Sequence, residues 1–195
     1  QRYTNHDLSF GIAFKHIYPI KLDQKKSIKI KNLCKKIIKA FRINNTVIYF
    51  QFLEKENNFK VIEIAIRTPG GLMYELSKLV SGYDIIKFTI LKSLGVKNSL
   101  NKCNIKKKKY KNLIIKFLTE YDFLDRKNLY LRKKSFYNLK GFVDLIIYTN
   151  KKKKLRNSGG RIGGLFITGK TIKKCKKNLK NMIDKFNLYE DKKFT

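Results

Sequence analysis

Val61-Ile62-Glu63-Ile64-Ala65-Ile66-Arg67-Thr68-Pro69-Gly70-Gly71 decides how this chain is read. It is an apolar, β-forming run that carries one carboxylate and one guanidinium and stops at a proline and a glycine pair. Alternate side chains share a face in an extended chain, so Glu63, Ala65 and Arg67 are expected on one side and Ile62, Ile64 and Ile66 on the other. The isoleucine face is expected to enter a core. The other face is available to line a site for phosphate and metal, because a carboxylate suits a hard cation and a guanidinium suits phosphate oxygens. Glycines at the strand end let backbone N–H groups approach an anion, and a helix expected from about Leu72 would add its N-terminal dipole. Taken alone, the glycine pair fits a plain strand-to-helix turn better than an anion site.

The preceding segment tips that balance. Val47-Ile48-Tyr49-Phe50-Gln51-Phe52-Leu53 alternates like a strand and is joined to Phe59-Lys60-Val61-Ile62 through the turn-like stretch Glu54 to Asn58, which predicts a hairpin over 46–67 with Gln51 beside Glu63. Here the chain resembles the ATP-grasp ligases. Their nucleotide site has two such strands, one ending in an acidic metal ligand and the next reading Glu-hydrophobic-Asn-x-Arg. Gln51 and Glu63 stand twelve residues apart, the separation of the two metal-ligand positions in the family's biotin carboxylase. The sequel Arg67-Thr68-Pro69-Gly70-Gly71, with the segment from Glu75 through Gly82 to Asp84, looks most like the L-amino-acid ligases and carnosine-synthase-like members. Farther on, Asn157 to Thr171 and the helix after it resemble the small C-terminal domain of the same ligases. A similar Gly-Gly-Arg segment closes phosphoribosylglycinamide synthetase. The resemblance covers most of residues 8–95 well and 139–187 loosely, and none of 96–138.

Two positions depart from the family's pattern. Gln51 stands where an acid is usual and Ala65 where asparagine is frequent, so Glu63 is the single carboxylate of the set and weakened magnesium affinity is expected. An ATP-grasp enzyme also has an N-terminal α/β domain and a lysine-bearing first half of the grasp, to which nothing here corresponds. The chain is read as the C-terminal part of a longer protein or as a truncated relic.

A net charge of +32 is the extreme number of the composition. It points toward nucleic acid or an anionic membrane with steep salt dependence. Yet only seven of the 46 basic residues are arginine, tryptophan is absent and there are two prolines, a pattern that AT-rich codons produce. Lys106 to Lys109 and Lys151 to Lys154 read as solvated loops without the aromatic spacing of a base-stacking platform. Composition drift therefore outweighs a selected nucleic-acid surface. Cys34, Cys103 and Cys175 are far apart and read as reduced thiols rather than a zinc site or disulfide framework. No apolar run approaches the roughly 20 residues that span a bilayer and no signal peptide is visible, so the expected compartment is the cytoplasm, with no membrane partner.

Length and a 43% hydrophobic content allow one or two compact units. Leu8 to Ile20 reads as a strand and its exit, with His16 near the end as a strand-end residue or one that approaches substrate. Ile30, Leu33, Cys34, Ile37, Ile38 and Phe41 recur at helical spacing, predicting an amphipathic helix from Lys25 to about Ile43. A short helix from Leu72 is expected to end near Gly82, with Asp84 capping another over 84–94. Leu113 to Phe117, Asn128 to Leu131, Gly141 to Tyr148 and Arg161 to Thr168 look like strands, followed by a helix over about 171–186. The fold expected is α+β: the C-terminal half of an ATP-grasp domain over 1–95, antiparallel with covering helices, a basic linker over 96–110, and a small antiparallel α+β domain over 111–195.

The resemblance implies an ADP-forming carboxylate–amine ligase that binds ATP and magnesium and works through an acyl phosphate on amino-acid substrates. Glu63 would hold the metal with Gln51 as a weaker second contact, Arg67 would stabilise the transferring phosphoryl group, and Gly70, Gly71 and Arg161 would contact substrate. An ion pair between Glu63 and Arg67, or a structural loop role for Arg161, are the plainer readings. The implied partners are the missing N-terminal half and two small molecules, a carboxylate and an amine; a homodimer follows only by analogy. Two other readings stay open: a basic RNA-associated domain, and a degenerate ATP-grasp remnant without activity.

Overall fold

The computed structural model describes residues 2–4, 12–56, 58–105, 110–122, 134–148 and 160–189. The chain divides into two compact units, Gln1–Ile20 with Tyr110–Thr195, and Lys21–Lys109. The fold is α+β with antiparallel strand pairing, as expected. The units do not follow the expected boundaries: the first twenty residues join the C-terminal unit, because the strand they contain hydrogen-bonds to residues 113–116, and the expected linker falls within the second unit up to Lys109.

The first unit is a five-stranded antiparallel sheet. Its strands are β1 (Arg2–Thr4), β2 (Ala13–Tyr18), β5 (Leu113–Leu118), β6 (Phe142–Ile147) and β7 (Gly163–Thr168), in the spatial order β1-β2-β5-β7-β6. Helix α4 (Ile172–Phe186) begins at Thr171, whose side chain accepts a hydrogen bond from the Lys174 amide at 3.2 Å. Its apolar positions recur at three and four residues. They bring Cys175, Leu179, Met182 and Ile183 into one core with Ile17, Ile114, Leu118, Leu145, Leu165 and Ile167 from the strands. Every residue of the central strand β5 is buried, since it has neighbours on both edges and cover on both faces. Its one charged residue, Lys116, pairs with buried Asp122. The Asp122 carboxylate also accepts hydrogen bonds from the Thr119 amide at 2.7 Å and the Tyr189 amide at 3.1 Å. That network ties β5, the 3₁₀ turn Glu120–Asp122 and the chain after α4 together, and nothing in the sequence pattern announced it. Gly163 explains part of the second glycine motif: a Cβ there would lie 2.3 Å from the Ile146 carbonyl oxygen. The close approach of β6 and β7 therefore requires glycine.

The second unit holds α1 (Gln24–Ala40), the hairpin β3 (Tyr49–Lys55) and β4 (Asn58–Ala65), α2 (Met73–Ser81), α3 (Ile85–Ser93) and a 3₁₀ turn at Asn101–Cys103. Asp23 caps α1 through the Lys26 amide at 2.7 Å, and the Lys26 ammonium pairs with Glu54 on β3. The expected apolar face of α1 is half-buried, apart from Phe41, which is exposed. Asp84 caps α3 as expected, accepting from the Lys87 amide at 3.0 Å and pairing with Lys78 at 3.2 Å. Burial opposes the charge on Asp84, but these hydrogen bonds outweigh it and hold the carboxyl below its ordinary 3.8. The expected linker over 96–110 is structured as far as 105. Ser99 and Cys103 are buried, the Asp84 amide donates to the Cys103 carbonyl at 3.0 Å, and the Ile105 amide donates to that of Gly82 at 2.7 Å.

The strand expected at 128–131, the lysine runs at 106–109 and 151–154, and residues 8–11 lie outside the described residues. The three thiols are free; burial pushes all three above the usual thiol range. Among the described residues no helix is long and apolar enough to cross a membrane.

Candidate functional site

The hairpin places Gln51 directly opposite Glu63, with Tyr49 opposite Ala65. Directly opposed residues share a face, so Tyr49, Gln51, Glu63 and Ala65 line one side, and Arg67 follows on it. The Arg67 guanidinium stands 3.5 Å from Glu63 Oε1 and donates a hydrogen bond to the Thr68 carbonyl at 2.9 Å. Both charged side chains are substantially exposed, Glu63 at 44% and Arg67 at 58%. Their contact is long and open to water, which makes it a weak ion pair and leaves each group available to a charged ligand. Tyr49 adds a contact that the sequence reading did not use: its hydroxyl donates to Gln51 Oε1 at 3.2 Å. The signal was present, since Tyr49 and Gln51 are two apart on one strand.

The isoleucine face departs from expectation. Ile62, Ile64 and Ile66 are 50%, 36% and 60% exposed and enter no core. The physical reason is the size of the sheet. Among the described residues β3 and β4 pair only with each other, and an irregularity between Gln51 and Phe52 shifts the register, breaking simple alternation beside Ile62. The neighbouring aromatics Phe50 and Phe52 stack on one another at 6.0 Å instead.

β4 ends at Ala65, two residues before the expected end of the hairpin at Arg67, and the turn that follows is conformationally unusual. Gly71 and Leu72 both adopt left-handed backbone, with φ of 61° and 62°. Left-handed backbone suits glycine but costs a branched residue roughly 1–3 kcal/mol. Leu72 accepts it because its side chain is fully buried, anchoring the turn from below. Among the described residues no side chain caps α2 at Leu72. The Met73 amide donates to the Gly70 carbonyl at 3.2 Å, and a Cβ on Gly70 would meet no described atom within 4 Å. The turn therefore presents open space beside the uncapped first turn of a helix, an arrangement suited to an anion.

Arg161 belongs to the other compact unit. It is 8% exposed, with its guanidinium 4.0 Å over the ring of Phe117, a cation–π contact. His16, half-buried, meets the same ring edge-on at 5.2 Å. These contacts are structural, and each residue is held by the first unit's sheet.

Among the described residues no group of three or more His, Cys, Asp or Glu could hold a metal ion. One exposed carboxylate opposite one amide oxygen is too few donors to retain magnesium alone. It fits an ion that arrives on phosphate oxygens, the usual manner in which magnesium is held in nucleotide sites.

No family model matches the sequence, and no curated protein sequence matches it. Solved structures do. Phosphoribosylglycinamide synthetase from Anaerococcus prevotii superposes with a TM-score of 0.62 at 19% identity, over 98% of this chain and 48% of that one. L-amino acid ligase from Bacillus licheniformis gives 0.65 at 13% identity, over 90% and 45%. N5-carboxyaminoimidazole synthase from Aspergillus clavatus, in complex with ADP and 5-aminoimidazole ribonucleotide, gives 0.60 at 13%, over 95% and 46%. The chain thus spans about half the length of the structures it matches. These neighbours are ATP-grasp ligases, and the fold of this chain is that of part of an ATP-grasp ligase.

Proposed function

We propose that this chain is the metal- and phosphate-facing part of an ATP-dependent carboxylate–amine ligase. The observation that carries the reading is the direct opposition of Gln51 and Glu63, with Arg67 on the same face and a left-handed Gly71-Leu72 turn at the end of the strand. In this reading the γ-phosphoryl of ATP passes to a substrate carboxylate oxygen, ADP leaves, and an amine displaces phosphate from the acyl phosphate. Bound magnesium would supply charge neutralisation between the terminal phosphates. Glu63 and Gln51 would hold it, Gln51 oriented by Tyr49. Arg67 is free to exchange its long contact with Glu63 for a phosphoryl oxygen, stabilising charge as it develops. Gly70 and Gly71 would offer backbone donors to the carboxylate. The complementary half of the grasp would close over the nucleotide, with amino acids as the substrate class.

Titration of ATP into the native full-length polypeptide, with and without magnesium, tests the assignment. Glu63→Ala is expected to lower magnesium-dependent affinity at least tenfold, and Gln51→Glu to raise it several-fold. Equal binding by wild type and Glu63→Ala would overturn it. One specific observation favours a second reading, a remnant without turnover: Gln51 and Ala65 replace the usual acid and asparagine. ADP release gained by Gln51→Glu with Ala65→Asn, and absent from wild type, would select it.

A further inference from the structure

The end of α3 and the loop that leaves it wall a hollow of about 500 Å³ within the second unit. Phe88 and Lys92, four apart and so on one side of the helix, form one wall. Val96, Lys97 and Leu100 continue it, and Asn45, Asn98 and Asn101 bring side-chain amides. Local sequence shapes the hollow. Asn45, Gly95 and Asn98 take left-handed backbone, with φ of 52°, 70° and 54°, which asparagine and glycine adopt readily. A Cβ on Gly95 would meet no described atom within 4 Å, so the mouth is open. The loop is held from behind. Ser99 is buried and its hydroxyl donates to the Val96 carbonyl, the Asn101 amide donates to the Asn98 carbonyl at 3.1 Å, and the thiol of buried Cys103 donates to the Ser99 carbonyl at 2.9 Å. Walls fixed before a ligand arrives cost little to order on binding.

Charge and size choose the occupant. The segments that supply the walls carry no carboxylate, since no aspartate or glutamate occurs over 24–53 or 85–119. Among the described residues neither Lys92 nor Lys97 enters an ion pair; the nearest carboxylate in sequence, Asp84, pairs with Lys78. A helix C-terminus carries partial negative charge, but in α3 the carbonyls of Ile90, Lys92 and Leu91 already accept from the amides of Leu94, Gly95 and Val96. Two unpaired ammonium groups with amide donors suit a group of charge about −2, which at neutral pH is a phosphomonoester rather than a carboxylate. Phe88, Val96 and Leu100 leave an apolar surface for the body of the molecule, and the volume is that of a small-molecule site. A polynucleotide would need successive rings on which to stack, and Phe88 is the one aromatic side chain among the described walls.

We propose that this hollow binds a small organic phosphate. Lys92 and Lys97 hold the phosphomonoester, and its apolar or aromatic body lies on Phe88 and Leu100.

The test titrates 1-naphthyl phosphate into the full chain at moderate salt, followed by calorimetry. Saturable binding at a single site is expected. Lys92→Gln combined with Lys97→Gln replaces exposed side chains, so circular dichroism should show the fold intact while binding weakens at least tenfold. Lys35→Gln combined with Lys36→Gln, an exposed pair on α1, should leave binding unchanged. Inorganic phosphate and 1-naphthol, each lacking one part of the ligand, should bind at least tenfold more weakly. Undetectable binding, unchanged affinity in the Lys92 and Lys97 variant, or equal affinity for inorganic phosphate would overturn the proposal. An equal loss in the Lys35 and Lys36 variant would also overturn it, by showing general attraction to a chain of +32. So would tighter binding of an RNA oligonucleotide through Lys92 and Lys97. The proposal is independent of the nucleotide reading: Glu63→Ala should leave naphthyl phosphate binding intact, and the Lys92 and Lys97 variant should leave magnesium-dependent ATP binding intact.

Discussion

β4 and β5 draw on the same residue types and meet opposite fates. In β5, Leu-Ile-Ile-Lys-Phe-Leu, every position is buried, the lysine included. In β4, Asn-Phe-Lys-Val-Ile-Glu-Ile-Ala, none is. What separates them is the number of neighbours. β5 lies third in a five-stranded sheet and faces α4, whereas β4 has one partner strand. Two strands alone cannot exclude water from a face. The first unit thus spends its apolar side chains on its own core. The second leaves a charged, accessible face suited to a ligand and several isoleucines suited to cover by another body.

The widest separation between these regions should appear at the buried ion pair. Asp122→Ala removes the partner of Lys116 and the acceptor for two backbone amides, so it is expected to cost about 3–5 kcal/mol, read as a shifted denaturation midpoint. An unchanged midpoint would mean the first unit does not depend on that network. Next comes the core itself. Met182→Ala, deep under the sheet, should lose about 2–5 kcal/mol, while Ile62→Ala on the hairpin should stay within about 0.5. Comparable losses at both positions would show that the isoleucine face is covered in solution.

A smaller effect is expected at Asp84, which belongs to the second unit but is well partnered. Asp84→Asn keeps a capping side chain and should cost about 0.5–1 kcal/mol through the lost pairing with Lys78 and the lost negative charge at the start of α3. Because the folded carboxyl is held below its ordinary 3.8, its stabilisation is full above about pH 5 and fades as pH falls through that value and beyond. Wild type and Asp84→Asn should therefore converge in acid, and a gap that widened there would reverse the sign of the argument. Least of all should stability respond to Glu63→Gln, within about 0.5 kcal/mol for so exposed a pair. Magnesium-dependent ATP binding should fall in the same variant, separating a ligand role from a structural one.

The second unit's elements were largely legible because their signals are local. The α1 periodicity, the Asp84 cap and the hairpin with Gln51 opposite Glu63 each depend on residues close in sequence, and each appears within a few residues of where spacing puts it. The Lys116–Asp122 network escaped the reading because a lysine in a strand is ordinarily solvated. Its partner Asp122 is held in turn by the amide of Tyr189, 67 residues farther along the chain. The left-handed Leu72 escaped for a related reason: a leucine after two glycines reads as the start of a helix, and only its full burial explains why it tolerates that backbone.

The sequence by itself determined the α+β class, the hairpin register and the face shared by Gln51, Glu63 and Arg67, since backbone periodicity and strand pairing follow from short-range geometry. Tertiary structure decided the rest. It assigned the first strand to the C-terminal sheet, buried Arg161 against Phe117 and left the isoleucines of β4 exposed. Burial is a property of how many layers meet at a residue, and no local pattern records how many arrive from distant parts of the chain.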